Sequence, residues 1–264
     1  AALPLKKEGY KIGHIEAGLR TDNIFDPFPE EVNRRLISQL SSLHFAPTDI
    51  SIRNLSSASV SGRIVKTGNT VIDALKIASR YKKVSNQFSN IEYKNIILAT
   101  IHRRENWDKV NQIAKGIKKV LDKKKDSFLI LPLHKNQIVR KPLLEILGNH
   151  KRAMLLEPLN YFELINALEI CKLVLTDSGG IQEEAPAFSK PVLILRDTTE
   201  RVESIEAGVA RLIGTKTENI YQEVMRIINN ENNYSAMSRA INPYGDGYAA
   251  DRILKESIAF LESN

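Results

Sequence analysis

The sequence predicts a parallel α/β fold in two parts, a first sheet that is only partial and a second that is complete. Three observations predict it. Short β-rich runs alternate with longer amphipathic ones, and that alternation builds parallel sheets with helical crossovers. Several short runs are apolar at nearly every position, as in NIILAT, FLILPL, KLVLT and PVLIL, and such strands belong to sheets covered on both faces. A polar stretch of weak periodicity at 82–94 (KKVSNQFSNIEYK) leaves three strand candidates before it and six after it. Six strands make a Rossmann-like domain; three make only part of one.

In chain order, AALPL opens the sequence as an apolar, helix-like stretch with no N-cap before it and no initiating Met, so a fragment of a longer protein is expected. The strand Ile12–Glu16 runs into a glycine-containing loop. Helix Glu30–Ser41 follows Pro29 with acids in its first turn, an ordinary helix start. Strands Leu43–Ala46 and Arg63–Thr67 precede helix Val71–Tyr81, and then comes the polar break. Strand Asn95–Ile101 and helix Val110–Lys124 follow, the helix closing on Lys123-Lys124-Lys125, where cations complement the helix dipole. Next come strands Phe128–Leu133 and Ala153–Glu157, helix Phe162–Ile170, strands Lys172–Thr176, Pro191–Leu195 and Ala210–Ile213, and helix Glu218–Asn229. The turn-rich Asn242-Pro243-Tyr244-Gly245-Asp246-Gly247 leads to a last helix, Ala249–Leu261. The expected divisions are 1–82, 83–242 and a closing helical segment 243–264.

The 264 residues are 42% hydrophobic and 26% charged, a globular composition. No apolar run approaches the ~20 residues a membrane span needs, nothing resembles a signal peptide, and the single Cys171 excludes an internal disulfide and reads as core. A cytoplasmic protein is expected. The formal charge of +7 is spread over lysines along the chain rather than gathered in a stripe, so neither nucleic acid nor a membrane is an expected partner.

Four segments carry chemistry. Thr176–Pro186 (TDSGGIQEEAP) follows an apolar strand and opens a helix. Gly179 and Gly180 let the backbone approach a ligand, and the Ser178 hydroxyl and first-turn N–H groups suit a phosphate. Glu184, about one turn beyond Gly180, is placed to accept both hydroxyls of a ribose. The same residues also read as a capped helix with a glycine turn. Leu195–Arg201 (LRDTTER) follows the next strand, and Arg201 reads either as a phosphate ligand or as a surface ion pair. His102, in TIHRREN (100–106) just past strand Asn95–Ile101, faces the same strand ends, where an imidazole suits proton transfer or phosphate binding. Finally, HIEAGLRT (14–21) and PEEVNRR (29–35) set Glu16 and Glu30 on either side of one loop, and paired acids serve as base and acid on a sugar carbon; helix capping is the other reading. His134 follows FLILPL and fits a cleft; His44 reads as core and His150 as solvated. No cluster has metal-ligand spacing and there is no GxGxxG, so neither a metal nor a Rossmann-bound NAD cofactor is expected.

Taken together, HIEAGLRT (14–21), PFPEEVNRR (27–35), TGNTVIDAL (67–75), HRREN (102–106), DSGGIQEEAP (177–186), RDTTER (196–201) and NPYGDG (242–247) resemble the non-hydrolysing UDP-N-acetylglucosamine 2-epimerases, in that family's order and over nearly the whole chain. The resemblance implies two Rossmann-like domains facing across a cleft (GT-B-like), with the first incomplete here, a final helix crossing back to the first domain, and a homodimer. It implies anti elimination of UDP, a bound 2-acetamidoglucal and readdition of UDP with C2 inverted. By motif position it makes Glu16, Glu30 and His102 catalytic. Arg20, Arg34, His134, Ser178, Gly179, Gly180, Glu184 and Arg201 become UDP-sugar ligands. A second UDP-N-acetylglucosamine near HRREN would act as allosteric activator. Val202 stands where relatives carry proline, and Leu159 and Leu164 where some carry Gln and Phe, so uracil contacts there would come from backbone and aliphatic surface. Relatives also carry an N-terminal segment with a catalytic aspartate, which this chain lacks, so poor folding or low activity of the chain as it stands is an expectation. A glycosyltransferase, a hydrolysing epimerase, a UDP-diacetamido-uronic acid 2-epimerase and a non-catalytic UDP-sugar binding fragment are the alternatives.

Overall fold

In a computed structural model of the chain, residues 2–21, 23–25, 28–81 and 86–263 are described. The expected boundary at 82/83 and Pro27 of the PFPEEVNRR run lie outside them. The chain forms two compact units: one runs to Ile77 and resumes at Pro243, and the other is Ala78–Asn242.

The first unit begins with α1 (Ala2–Lys7) and β1 (Gly13–Ile15). It continues through α2 (Glu30–Leu40), β2 (Leu43–Ala46), α3 (Asp49–Ser57), β3 (Arg63–Lys66) and the start of α4 (Thr70–Tyr81). Its strands form a parallel sheet in the order β1-β2-β3. Thr48 caps α3 by accepting from the Ser51 N–H, the short-polar N-cap that a sequence can carry without any apolar periodicity.

The second unit holds β4 (Asn95–Thr100), α5 (Val110–Lys123), β5 (Ser127–Pro132), α6 (Gln137–Leu147), β6 (Ala153–Leu156), α7 (Tyr161–Ile170), β7 (Leu173–Thr176), α8 (Gly179–Glu184), β8 (Val192–Ile194), α9 (Val202–Glu206), β9 (Ala210–Leu212), α10 (Thr217–Ile228) and α11 (Glu231–Ser238). All six strands are parallel, in the order β6-β5-β4-β7-β8-β9. Their apolar runs fill two faces at once. Ile97, Ala99, Leu129, Leu131, Leu173 and Leu175 pack on one side with α5 and α10. Ile96, Leu98, Phe128, Ile130 and Val174 pack on the other with Leu168 of α7 and Ile181 of α8. On α5, Val110, Ile113, Ile117, Val120 and Leu121 are fully buried, each contributing roughly 1.5–3 kcal/mol. Where α5 meets α10 the approach is close enough that a Cβ on Gly116 would lie 2.9 Å from Ile220 Cβ.

The last helix, α12 (Ala249–Glu262), belongs to the first unit. Its N-cap residue, Tyr248, makes no side-chain cap bond. Asp73 of α4 supplies the cap instead, accepting from the N–H groups of Ala249 at 3.0 Å and Ala250 at 2.8 Å. Arg252 then donates to Thr67 O and makes a two-pronged pair with Asp246 at 2.8 and 2.7 Å.

Two minor readings need comment. His44 and Cys171 are core residues, and burial pushes the Cys171 thiol up to about 12. His150 is not freely solvated: its side chain is only 12% exposed and Nε2 lies 3.2 Å from Asp122, because the turn after α6 folds it against α5.

Candidate functional site

In a doubly wound sheet, ligands bind outside the carboxyl ends of the strands where the strand order reverses. Here the reversal falls between β4 and β7: the chain winds outward from β4 through β5 and β6, then returns to β7 and winds the other way. The loop after β4 carries His102 and the loop after β7 carries Ser178-Gly179-Gly180. Thr100 and Thr176, register partners at the two strand ends, join through their hydroxyls at 2.6 Å. Thr176 Oγ1 also accepts from the Ser178 N–H at 2.9 Å.

Asp177 ties the two loops together. Fully buried, it accepts from the main-chain N–H groups of His102 (3.1 Å) and Arg103 (3.0 Å). It also accepts from the Asn106 amide at 3.1 Å, and its Oδ1 lies 3.2 Å from His102 Nδ1. Asn106 in turn donates to Leu195 O at 2.8 Å, reaching the end of the next strand run. The His102 ring remains 42% exposed, so it can meet a ligand. Burial lowers its pKa; Asp177 pulls it upward, and Arg103, His134 and Arg196 push it down.

A pocket of about 230 Å³ opens at these strand ends. His102, His134 and Ser178 supply its polar wall, and Leu159, Leu164 and Ile181 much of its apolar one. The two imidazoles stack with centroids 6.5 Å apart. His134 Nδ1 accepts from the Asn136 N–H at 3.2 Å, beside the Asn136 cap of α6.

The Ser178 hydroxyl makes no cap bond within α8. Gly179 sits under a charged roof: a Cβ there would lie 3.3 Å from Arg201 Cζ and 3.4 Å from Arg103 Nη2. A Cβ on Gly180 would meet nothing nearer than Ser178 Oγ at 4.0 Å. That roof is a network of three guanidiniums and three carboxylates, of which Arg196, Arg201, Glu183 and Glu200 are buried. Arg201 pairs with Glu183 (2.9 Å) and Glu200 (2.6 Å). Arg196 pairs with Glu200 (2.9 Å) and Glu105 (2.6 Å), and Arg103 with Glu200 (3.3 Å). Arg201 is thus an ion-pair residue, but a buried one rather than a surface one. Burial opposes ionisation of Glu200, yet Arg201 and Arg196 outweigh it and hold the carboxyl at about 2. Glu184 has the opposite fate: it is 8% exposed, and burial pushes it up to about 7.

In the first unit, Glu16 follows β1 in a left-handed conformation (φ 62°) and is exposed, a backbone state costing about 1–3 kcal/mol outside glycine. Gly18 beside it could not be another residue, since a Cβ there would lie 2.2 Å from Ser51 O. Glu30 starts α2 and is exposed. Its neighbour Glu31 is the acid that α2 buries, accepting from the Thr21 N–H at 3.1 Å and Arg35 Nε at 2.8 Å. Arg20 donates to Ser38 Oγ at 2.7 Å, and Arg34 lies 3.9 Å from Glu31. His14, expected only as part of its motif, is pushed down to about 4 by burial, then by His44, Arg20 and Arg34. Residue chemistry alone did not single out Asp177, Asn106, Glu183 or Glu200; each stands inside a quoted motif, which was the only signal.

Among the described residues no three His, Cys, Asp or Glu side chains group as metal ligands would, and no helix is long and apolar enough to cross a membrane.

The sequence matches the protein-family model described as UDP-N-acetylglucosamine 2-epimerase over residues 1–257. The UDP-N-acetylglucosamine 2-epimerase of Escherichia coli (strain K12) is 45% identical over 255 residues, 92% of this chain and 68% of that protein. Among solved structures, the S. aureus MnaA–UDP co-structure superposes with a TM-score of 0.92 at 44% identity, over 99% of this chain and 70% of that one. The UDP-GlcNAc 2-epimerase from Neisseria meningitidis bound to UDP-GlcNAc does so with a TM-score of 0.92 at 40% identity, over 98% and 72%.

Proposed function

The chain belongs to the UDP-N-acetylglucosamine 2-epimerase family, and from that premise we propose that it epimerises C2 of UDP-N-acetylglucosamine to give UDP-N-acetylmannosamine. One observation carries the reading: His102, His134 and Ser178 converge on one pocket at the reversal between β4 and β7, and the Gly179-Gly180 turn follows Ser178 directly.

In this reading the uracil lies on the apolar wall of Leu159 and Leu164. The ribose hydroxyls donate to Glu184. The diphosphate lies on the Ser178-Gly179-Gly180 turn, approached through the exposed Gly180, while Arg201 and Arg103, both paired with Glu200, lie over Gly179. His134 and His102 meet the phosphate side. Glu16 and Glu30 act as the acid and base of the sugar chemistry, with Arg20 and Arg34 as ligands. One carboxylate takes the C2 proton as the C1–O bond breaks and its electron pair leaves with UDP. The glucal stays bound. UDP then re-forms the C1–O bond while the opposite face of C2 gains a proton. A homodimer, a cytoplasmic location and a second UDP-N-acetylglucosamine as activator near Arg103–Asn106 complete the reading; the family resemblance supports them.

Proton NMR of UDP-N-acetylglucosamine incubated with the protein in D2O tests it. Deuterium entering C2 together with the appearance of UDP-N-acetylmannosamine is expected, and Glu16→Gln is expected to slow that exchange at least 100-fold, about 2.7 kcal/mol of barrier, without changing the melting temperature. UDP binding with the C2 proton untouched would replace this reading with a UDP-sugar binding role, and transfer of the sugar to an added acceptor would replace it with a glycosyltransferase.

A further inference from the structure

We infer that Asp177 is a positioning residue that fixes His102 with its proton on Nδ1 and a lone pair on Nε2, while the Asn136 N–H fixes the neighbouring His134 in the opposite sense. The geometry assigns both. His102 Nδ1 lies 3.2 Å from a carboxylate oxygen of Asp177, and an acceptor-only group that close favours a proton on that nitrogen. His134 Nδ1 faces a main-chain N–H at 3.2 Å, a group that only donates, so that nitrogen carries the lone pair and Nε2 carries the proton. Two stacked rings on one pocket wall thus present a standing donor and an acceptor.

Asp177 is suited to the task because its orientation is fixed by other bonds. Oδ2 accepts from the Arg103 N–H and the Asn106 amide, the His102 N–H is shared between Oδ2 and Oδ1, and Oδ1 is the oxygen 3.2 Å from the ring nitrogen. Resting on the function proposed above, the consequence is that His102 takes up one proton from bulk water at Nε2 when a nucleoside diphosphate brings negative charge beside it. The resulting imidazolium is then stabilised by Asp177 on one side and phosphate on the other.

The substitution Asp177→Asn separates this role from a merely structural one. Two donors point at the Oδ2 position alone and one is shared with Oδ1, so the amide oxygen is favoured at Oδ2 and the NH2 falls opposite His102 Nδ1. The ring must then accept at Nδ1, and its proton moves to Nε2. The readout is long-range 1H–15N NMR of the 15N-histidine-labelled full chain at pH 7.5, with five histidines to resolve and His102 assigned through His102→Gln. The expected result is His102 protonated at Nδ1 and His134 at Nε2 in the parent. In Asp177→Asn, His102 is expected to switch to Nε2 with His134 unchanged, and the His102 titration to move to lower pH. A parent His102 protonated at Nε2, or a variant that keeps the parental tautomer, overturns the inference. If the variant does not fold, the parent spectrum alone decides in the same terms. Addition of UDP is expected to protonate both His102 nitrogens in the parent only. Correct tautomers with no response to UDP anywhere in the pocket support the positioning role and overturn the nucleotide reading instead.

Discussion

At the scale of single residues, burial without a partner is the informative condition. Glu184 and Glu200 are carboxylates of similar burial at one site, yet burial raises Glu184 from 4.5 to about 7, whereas Arg201 and Arg196 override burial at Glu200. The sign of the resulting pH dependence follows. A group whose folded pKa is raised stabilises the fold fully below its unfolded pKa and loses that contribution as pH rises through the folded value. The contribution of Glu184 is therefore lost between pH 4.5 and about 7, an effect on the order of 3 kcal/mol at most. Glu184→Gln is expected to melt above the parent at pH 8 and with it at pH 4.5, checked by thermal denaturation at both. If the ribose hydroxyls need an ionised acceptor, UDP affinity in the parent rises with pH through 7. The variant is then expected to bind about tenfold more weakly, roughly 1.4 kcal/mol, without that pH dependence in calorimetric titrations. Residue chemistry made Glu184 legible early, because one helical turn fixes its distance from Gly180. It could not single out Glu31, because only the rotation of α2 decides which of two adjacent acids turns inward.

At the scale of elements, the strands were the legible part. Each apolar run sits within one or two residues of an observed strand, because a strand buried on both faces has no choice but to be apolar throughout. Three helices were not: α3 is rich in serine, α11 is short and polar, and α6, despite its buried stripe of Val139, Leu143 and Leu147, carries Pro142 inside it, which reads as a breaker. Packing overrides propensity at α5 as well. Alanine is the better helix former at Gly116 by about 1 kcal/mol. Its methyl would nevertheless meet Ile220 Cβ at 2.9 Å and Cγ2 at 3.1 Å, both on a fully buried side chain. Gly116→Ala is therefore expected to destabilise the second unit by about 1–3 kcal/mol, read as a lower denaturation midpoint with an unchanged slope.

At the scale of the whole molecule, the two units differ in how they are closed. The second is one continuous stretch with its own two-sided core, whereas the first draws α12 from the other end of the described chain through Asp73, Arg252 and Asn69. Removing the cap that Asp73 supplies to α12 is expected to cost about 1–2 kcal/mol, and to cost it in one unit only. Differential scanning calorimetry of Asp73→Ala is accordingly expected to shift one of two transitions and leave the other in place. The charged roof over Gly179 is the least legible part at this scale. Arg103 and Glu105 come from one loop and Arg196 and Glu200 from another, up to 97 positions apart, and only the sheet order brings them together.

The interrupted first unit also has a consequence in time. A ribosome releases the chain from its N-terminus, so β1, β2 and β3 emerge long before the helix that completes their unit, and the entire second unit is made in between. That intervening unit can fold as soon as it clears the exit tunnel, and once folded it replaces a long floppy tether with a compact one, so α12 is delivered to its acceptor at a much smaller entropic cost of loop closure.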